Sequence, residues 1–168
     1  MKQKINVWDY AGTIMKAVET GALVTAKANG KANSMTIGWG ALAIEWNTPL
    51  FIAYIRESRF TRELLDQNPE FTVNIPLGEC DPYILHLCGT RSGREIDKIA
   101  ELGLTAIEGE TVSVPAFKEL PLTLECKLVY RQLQNVPAVA EPQRRHYPEP
   151  VDAHVAYYGE ITAAYILE

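Results

Sequence analysis

The sequence is poor in the residues that build metal centres and cross-links. Among its 168 residues are three cysteines and three histidines. Cys80, Cys88 and Cys126 form no C-x-x-C pair, and His86, His146 and His154 have no metal-ligand spacing with one another or with cysteine. No structural zinc or other first-row metal site is expected, and the odd cysteine count suggests a reducing compartment. Long apolar runs are also missing. The longest, Ile37 to Ile44, is far below the roughly 18 residues of a membrane span, and Met1-Lys2-Gln3-Lys4 leads into no apolar signal region. Positive charge is the minority sign, 16 Lys plus Arg against 21 Asp plus Glu, for a formal charge of −5. With no basic stripe interleaved with aromatics, nucleic acid is an unsuitable partner. A soluble, cytoplasmic protein with no membrane association is expected. No G-x-G-x-x-G turn and no G-x-S-x-G elbow occurs, which disfavours a Rossmann domain and a serine-nucleophile hydrolase.

What is present suits one globular domain, residues 1–168. Apolar residues make up 47% and charged residues 22%, far from the balance of a disordered chain. Ala11, Ile14, Met15 and Val18 recur at helical spacing, predicting a helix over Asp9 to Thr20 that stops at Gly21. Asn29-Gly30 is a strong type I′ turn signal, so Ala22 to Ala28 and Ala32 to Ala43 read as a hairpin. After the break at Trp46 to Pro49, Leu50 to Ile55 is a buried strand. Ser58 then reads as N-cap of a helix from Phe60 to Gln67, ended by Asn68-Pro69. Phe71, Val73 and Ile75 alternate as a strand, and Asp81-Pro82 opens a further helix to Gly89.

Ser92-Gly93-Arg94-Glu95 has the capping-box pattern of a helix closing at Gly103. Leu122 to Arg131 predicts a strand with Leu122, Leu124, Cys126, Leu128 and Tyr130 on the core face and Thr123, Glu125 and Lys127 on the other. A proline-containing loop precedes a last strand carrying Val155, Tyr157, Ile161 and Tyr165. Long strands from distant parts of the chain, with helices between them, predict a mainly β fold: an antiparallel, Greek-key-like β-barrel with peripheral helices.

Four constellations have chemistry in them. Arg56-Glu57-Ser58-Arg59-Phe60-Thr61-Arg62 puts three arginines and two hydroxyls where a strand hands over to a helix. Guanidinium forks with free N–H groups of a helix start make an anion site that favours a phosphomonoester. A capped helix with solvated arginines explains the same residues, and spacing does not separate the two. Asn33, Ser34, Met35 and Thr36, before the glycine-flanked Trp39, offer polar groups and an aromatic face to a planar heterocycle; an ordinary strand with Trp39 in the core is the alternative. Gly89 to Lys98 forms a second cationic helix start, with Ser92 and Lys98 suited to a phosphate or a cofactor edge, or to a capped surface helix. His154 opens the last strand, placed either to meet a cofactor or to be bonded structurally. Cys88 reads as a buried small apolar residue.

In order and spacing, the stretches GALVTAKANGKANSMTIGWG, PLFIAYIRESRFTRELL, EFTVNIP, LCGTRSGREIDK and HVAYYGEI resemble the flavin reductase-like, FMN-binding split-barrel family, in its flavoredoxin-like branch. The resemblance implies a homodimer of split barrels holding FMN non-covalently, with NAD(P)H or a redox-partner protein as electron donor. By resemblance, Asn33 to Thr36 and Trp39 lie along the isoalloxazine, and Arg56, Ser58, Arg59 and Thr61 receive the phosphate. Ser92 and Lys98 approach the flavin, and His154 acts beside it as the catalytic histidine. Two departures stand out: the family's common SGRD is SGRE here, and Ala153 replaces the aspartate often found before the late histidine. The open alternatives are an FMN electron-transfer protein without its own NAD(P)H site and a flavin-free binding module on the same barrel.

Overall fold

A computed structural model describes residues 1–168. The elements in chain order are β1 (Lys2–Lys4), α1 (Ala11–Thr20), β2 (Ala22–Ala28), β3 (Lys31–Ile37), β4 (Gly40–Glu45) and β5 (Thr48–Arg56). There follow α2 (Phe60–Gln67), β6 (Glu70–Ile75), α3 (Pro82–Thr90), α4 (Lys98–Glu101), β7 (Ala106–Ile107) and β8 (Ala116–Phe117). The chain ends with β9 (Leu122–Leu133), the single turn α5 (Glu141–Arg144) and β10 (His154–Leu167). No helix is long and apolar enough to cross a membrane.

The main sheet runs β3-β2-β6-β9-β10-β5-β4, with β1 added on β10, and all its pairings are antiparallel. Its two edge strands, β3 and β4, are consecutive in sequence. Only Gly38 and Trp39 separate them, three Cα steps of about 3.8 Å each, so the edges must approach at that end and the sheet curls into a split barrel. The sequence pattern predicts one strand from Ala32 to Ala43; instead the chain leaves one edge at Ile37 and rejoins the sheet at the opposite edge from Gly40. The Asn29-Gly30 turn forms as expected, with φ of 50° and 77° and Ala28 opposite Lys31. Trp46 and Asn47, read as a break, make a second two-residue turn with φ of 52° and 57°.

The barrel interior is filled by Val24, Met35, Phe51, Phe71, Val73, Leu124 and Tyr157, and α1 adds Ile14 and Val18. A second layer, with Ile84 and Cys88 of α3 and Phe117 and Leu120, packs on Leu23. Strands β2, β6 and the first half of β9 are therefore covered on both faces, which corrects the expectation of one core face for Leu122 to Arg131. Thr123 and Glu125 are fully buried, while β9 is largely exposed beyond Cys126. Buried polar groups need partners, and those between the two layers have them: Asn74 Nδ2 donates to Thr123 Oγ1 at 3.2 Å and Thr72 Oγ1 to the Pro115 carbonyl at 2.8 Å.

Two predicted caps differ. Ser58 does not cap α2; its N–H and Oγ both donate to the Asp152 carboxylate, at 3.1 and 2.6 Å. Nor does the Ser92…Glu95 capping box form. Asp97 caps α4 by accepting from the Ala100 N–H at 3.1 Å, Ser92 Oγ accepts from the Arg94 N–H, and the Glu95 carboxylate pairs with Arg91. An aspartate one residue before α4 competes for the cap that a longer helix would have taken at Ser92.

Candidate functional site

The open edge of β3 faces the junction of β5 with α2 and the turn from α3 to α4. Between them lies a cleft of two limbs. Strand β3 pairs only with β2 within the sheet, so alternate N–H and C=O groups along Asn33 to Thr36 have no strand partner.

The narrow limb, about 160 Å³, is lined by Asn33, Ser58, Arg59, Thr61, Ser92 and Lys98. Asn33 Nδ2 donates to Thr61 Oγ1 at 2.8 Å, tying the edge strand to the first turn of α2. Gly93 closes over this pair: a Cβ there would come within 2.6 Å of Asn33 Cγ and 2.9 Å of the Phe60 ring. Gly93→Ala should therefore displace Asn33, break its bond to Thr61 and weaken ligand binding in this limb about tenfold, on the scale of one lost hydrogen bond. Isothermal titration of the variant checks this.

Lys98 is 3% exposed, and its Nζ donates to the Cys88 carbonyl at 3.1 Å. Arg59 Nη2 donates to the Gly89 carbonyl at 2.9 Å. Neither cation makes an ion pair, whereas Arg91 and Arg94 at the rim pair with Glu95 and Glu63. Burial pushes the Lys98 ammonium down to about 8, with the neighbouring Arg59 adding to the effect. Burial, then Arg56, also lowers the Arg59 guanidinium. A lysine ammonium has three donors and one is spent here. The limb thus holds two cations whose remaining donors suit an anion's oxygens.

The broad limb, about 360 Å³, is lined by Thr36, Trp39, Tyr54, Arg56 and His154, and it shares Met35 and Arg59 with the narrow one. The Trp39 ring is tilted 41° over His154 with centroids 4.7 Å apart, and Tyr147 meets His154 edge-on at 5.6 Å. His154 is buried, its Nδ1 has no hydrogen-bond partner, and burial followed by the Arg56 charge lowers it to about 4. It is a neutral imidazole at physiological pH. Arg56 donates from Nη1 to the Asp152 carbonyl at 2.8 Å and from Nη2 to the His146 carbonyl at 3.1 Å.

The cleft, cationic and hydroxyl-lined at one end and aromatic at the other, lies in a chain that a family model matches over most of its length. The model of the flavin reductase like domain covers residues 15–168. The chain belongs to the flavin reductase-like family.

Among solved members of the fold, flavoredoxin from Methanosarcina acetivorans is 28% identical with a TM-score of 0.68, over 88% of this chain and 68% of that one. An FMN-binding protein from Thermus thermophilus is 23% identical with a TM-score of 0.66, over 86% of this chain and 68% of that one, a likeness of fold. An uncharacterized protein of Archaeoglobus fulgidus is 34% identical over 99 residues, 59% of this chain and 55% of its own length. The match spans about half the length of the curated relatives.

Of the residues singled out in the family-like motifs, Asn33, Met35, Thr36, Trp39, Arg56, Ser58, Arg59, Thr61, Ser92, Lys98 and His154 all line the cleft. Ser34 does not: its side chain is fully buried, and Oγ shares a 2.7 Å hydrogen bond with Thr25 Oγ1. Arg62 also leaves the expected cluster, pairing with Asp66 at 3.3 Å in a separate pocket with Arg131 and Tyr157. Sequence reasoning missed Tyr54, which lines the broad limb, and Asp152, which holds Ser58. Tyr54 was recoverable, because it lies two residues before Arg56 on the same face of β5. Asp152 was not, since its contact with Ser58 spans 94 residues.

Proposed function

We propose that this cleft binds FMN non-covalently and that the protein is a flavin oxidoreductase using NAD(P)H as donor. The observation that carries the reading is a pair of cations without carboxylate partners, the buried Lys98 and the half-buried Arg59, in a limb that shares Met35 and Arg59 with an aromatic one. Two features of this chain suit the fit: the unspent donors of Lys98 in the narrow limb, and the Asn33–Thr61 pair held under Gly93 beside it. FMN, when bound, supplies the carrier for a two-electron transfer.

The chain's own residues bind and orient. Arg59, Thr61 and Ser92 hold the phosphate, and Lys98 adds positive charge in the same narrow limb. Free N–H groups of β3 meet the edge of the ring system, and Trp39 gives it an aromatic face. Arg56 and Ser58 act one step back. Their donors fasten the segment from His146 to Asp152, which carries Tyr147 against His154. His154, neutral, offers one donor and one acceptor to a substrate polar group.

The test is anaerobic mixing of the FMN-loaded protein with NADH or NADPH, followed at the visible flavin bands. Bleaching is expected, slowed in His154→Ala and without a His154 limb between about pH 5 and 9, because its proton is already lost near pH 4. A second reading, an electron-transfer protein fed by a reductase, is favoured by the likeness to a protein named flavoredoxin. It predicts bound FMN that NADH and NADPH leave oxidised until a partner reductase is added.

We also propose a cytoplasmic homodimer. Free thiols at Cys80, Cys88 and Cys126 suit a reducing compartment. Exposed Trp46 and Tyr130, with Trp46 and Tyr158 both against the Tyr130 ring at 6.4 and 5.1 Å, form an apolar surface of the kind subunits cover.

A further inference from the structure

Lys98 opens α4 with its side chain buried, and the one hydrogen bond of its Nζ goes to a neutral acceptor, the Cys88 carbonyl. Buried ammonium groups are ordinarily paired. No carboxylate pairs with this one: Asp97, which caps the same helix, accepts from the Ala100 N–H, and Glu101 makes no ion pair.

The groups around it add no free negative charge. From α3 comes the Cys88 thiol, which burial pushes up to about 11, leaving it neutral at pH 9. From the junction of β5 and α2 comes Arg59, a like charge that opposes the ammonium. The α3–α4 turn brings Arg91 and Arg94, whose charges are met by Glu95 and Glu63. Strand β3 lines the limb with the uncharged Asn33 and Met35, and its Lys31 donates to the Gly93 carbonyl.

A phosphomonoester carries two negative charges once its second proton is lost, near pH 6. Two cations answer it here, Arg59 and Lys98, and only one of them is fixed. A guanidinium keeps its proton throughout the working range. An ammonium that is buried, unpaired and beside a like charge passes readily to the neutral amine, and Lys98 does so near pH 8. A dianion in the limb supplies the missing counter-charge and acceptors for the two unspent Nζ donors.

We propose that the narrow limb binds a phosphate dianion together with one proton, which Lys98 Nζ accepts from solvent as the phosphate enters. A group that holds its proton more tightly in the complex makes binding weaken as pH rises through its free value. Affinity is therefore full at neutral pH and falls above pH 8. That the phosphate is FMN's rests on the flavin reading above; the proton coupling rests on the limb alone.

Calorimetric titration of the full-length protein with FMN, methyl phosphate and riboflavin, at pH 7 and pH 9 in two buffers of different ionisation enthalpy, reads affinity and proton uptake together. FMN is expected to take up almost no proton at pH 7 and close to one at pH 9, with a dissociation constant about tenfold higher at pH 9. Methyl phosphate should bind more weakly with the same uptake. Riboflavin, which has the ring system without the phosphate, should show neither effect. Lys98→Met is expected to abolish the uptake and flatten the pH dependence of FMN binding; the wild-type titrations decide the matter even where this variant does not fold. FMN binding at pH 9 without uptake would overturn the coupling and leave the flavin reading intact. Equal uptake with riboflavin, or uptake persisting in a folded Lys98→Met, would overturn Lys98 as the acceptor. Methyl phosphate bound with uptake but no FMN bound would leave the coupling standing and remove the flavin reading, and no binding of either phosphate would overturn both.

Discussion

Arg59→Ala is expected to raise the dissociation constant for FMN by about 10- to 100-fold while changing that for riboflavin less than threefold. The range follows from the 1.5–3 kcal/mol typical of hydrogen bonds to charged groups. Arg59 spends one donor on the Gly89 carbonyl and makes no ion pair, so its remaining donors are those of a fork suited to phosphate oxygens. Riboflavin shares the ring system and lacks the phosphate, which isolates the contribution of the narrow limb. Arg59→Lys should recover part of the loss, since it restores the charge without the fork. Equal losses for both ligands would mean that Arg59 holds the cleft together rather than gripping the phosphate. Thr61 is a poorer choice for this test. Its hydroxyl accepts from Asn33 Nδ2, so Thr61→Ala leaves a buried amide unpaired and mixes stability with binding.

The largest effect on stability should come from Glu125, remote from the cleft. Its side chain is fully buried in β9 and accepts four hydrogen bonds: from the N–H groups of Glu110 and Thr111 at 2.7 and 2.6 Å, and from Thr111 Oγ1 and Tyr165 Oη at 2.7 Å each. Burial alone would raise this carboxyl, and the donors outweigh it, so it is held below its ordinary value of 4.5. Glutamine keeps the shape but turns an NH₂ group toward donors. Glu125→Gln is therefore expected to cost about 3 kcal/mol, within the range for breaking a buried charged network. For a domain of this size that lowers Tm by roughly 6–12 °C. FMN binding should be unaffected.

The pH dependence has a definite sign. A depressed carboxyl contributes its full stabilisation above the unfolded value and loses it as pH falls through the folded one. The gap between wild type and Glu125→Gln should be widest near pH 7 and shrink below about pH 4.5. Denaturant unfolding at pH 7 and pH 3.5 measures it. A gap that is the same at both would show that the carboxylate's charge contributes nothing.

Local rules made much of this molecule legible. Asn29-Gly30 specified its turn because positive φ at both central positions has few other solutions, and α2 starts and ends at Phe60 and Gln67, as the Asn68-Pro69 stop requires. What local rules could not supply is which strand lies beside which. The pattern from Ala32 to Ala43 is continuous, yet the barrel's closure is at Gly38-Trp39, a property of the whole sheet. The alternating pattern of β9 places Glu125 on the outer face correctly. It cannot reveal that residues 105–121 fold over that face and supply two backbone donors.

The site shows the same division. Residues at the end of β5 and in the α3–α4 turn were visible as cation-rich helix starts, and the motif order placed them together with β3. Their division of labour was not visible. Arg56 and Ser58 read as phosphate ligands, and in the fold the Asp152 carboxylate takes the Ser58 N–H and hydroxyl while the carbonyls of Asp152 and His146 take two of the five Arg56 donors. Sequence spacing says which residue types are near a helix start; only the tertiary partners say which donors remain free.

Titration of the flavin-free protein with FMN, followed by flavin fluorescence and the visible spectrum, tests the central claim most directly. One FMN per chain, bound at least tenfold more tightly than riboflavin and with perturbed flavin bands, is the result expected of a cleft whose narrow limb holds Arg59 and Lys98 unpaired. A flat titration, with no change in either signal at FMN concentrations up to the millimolar range, would contradict it.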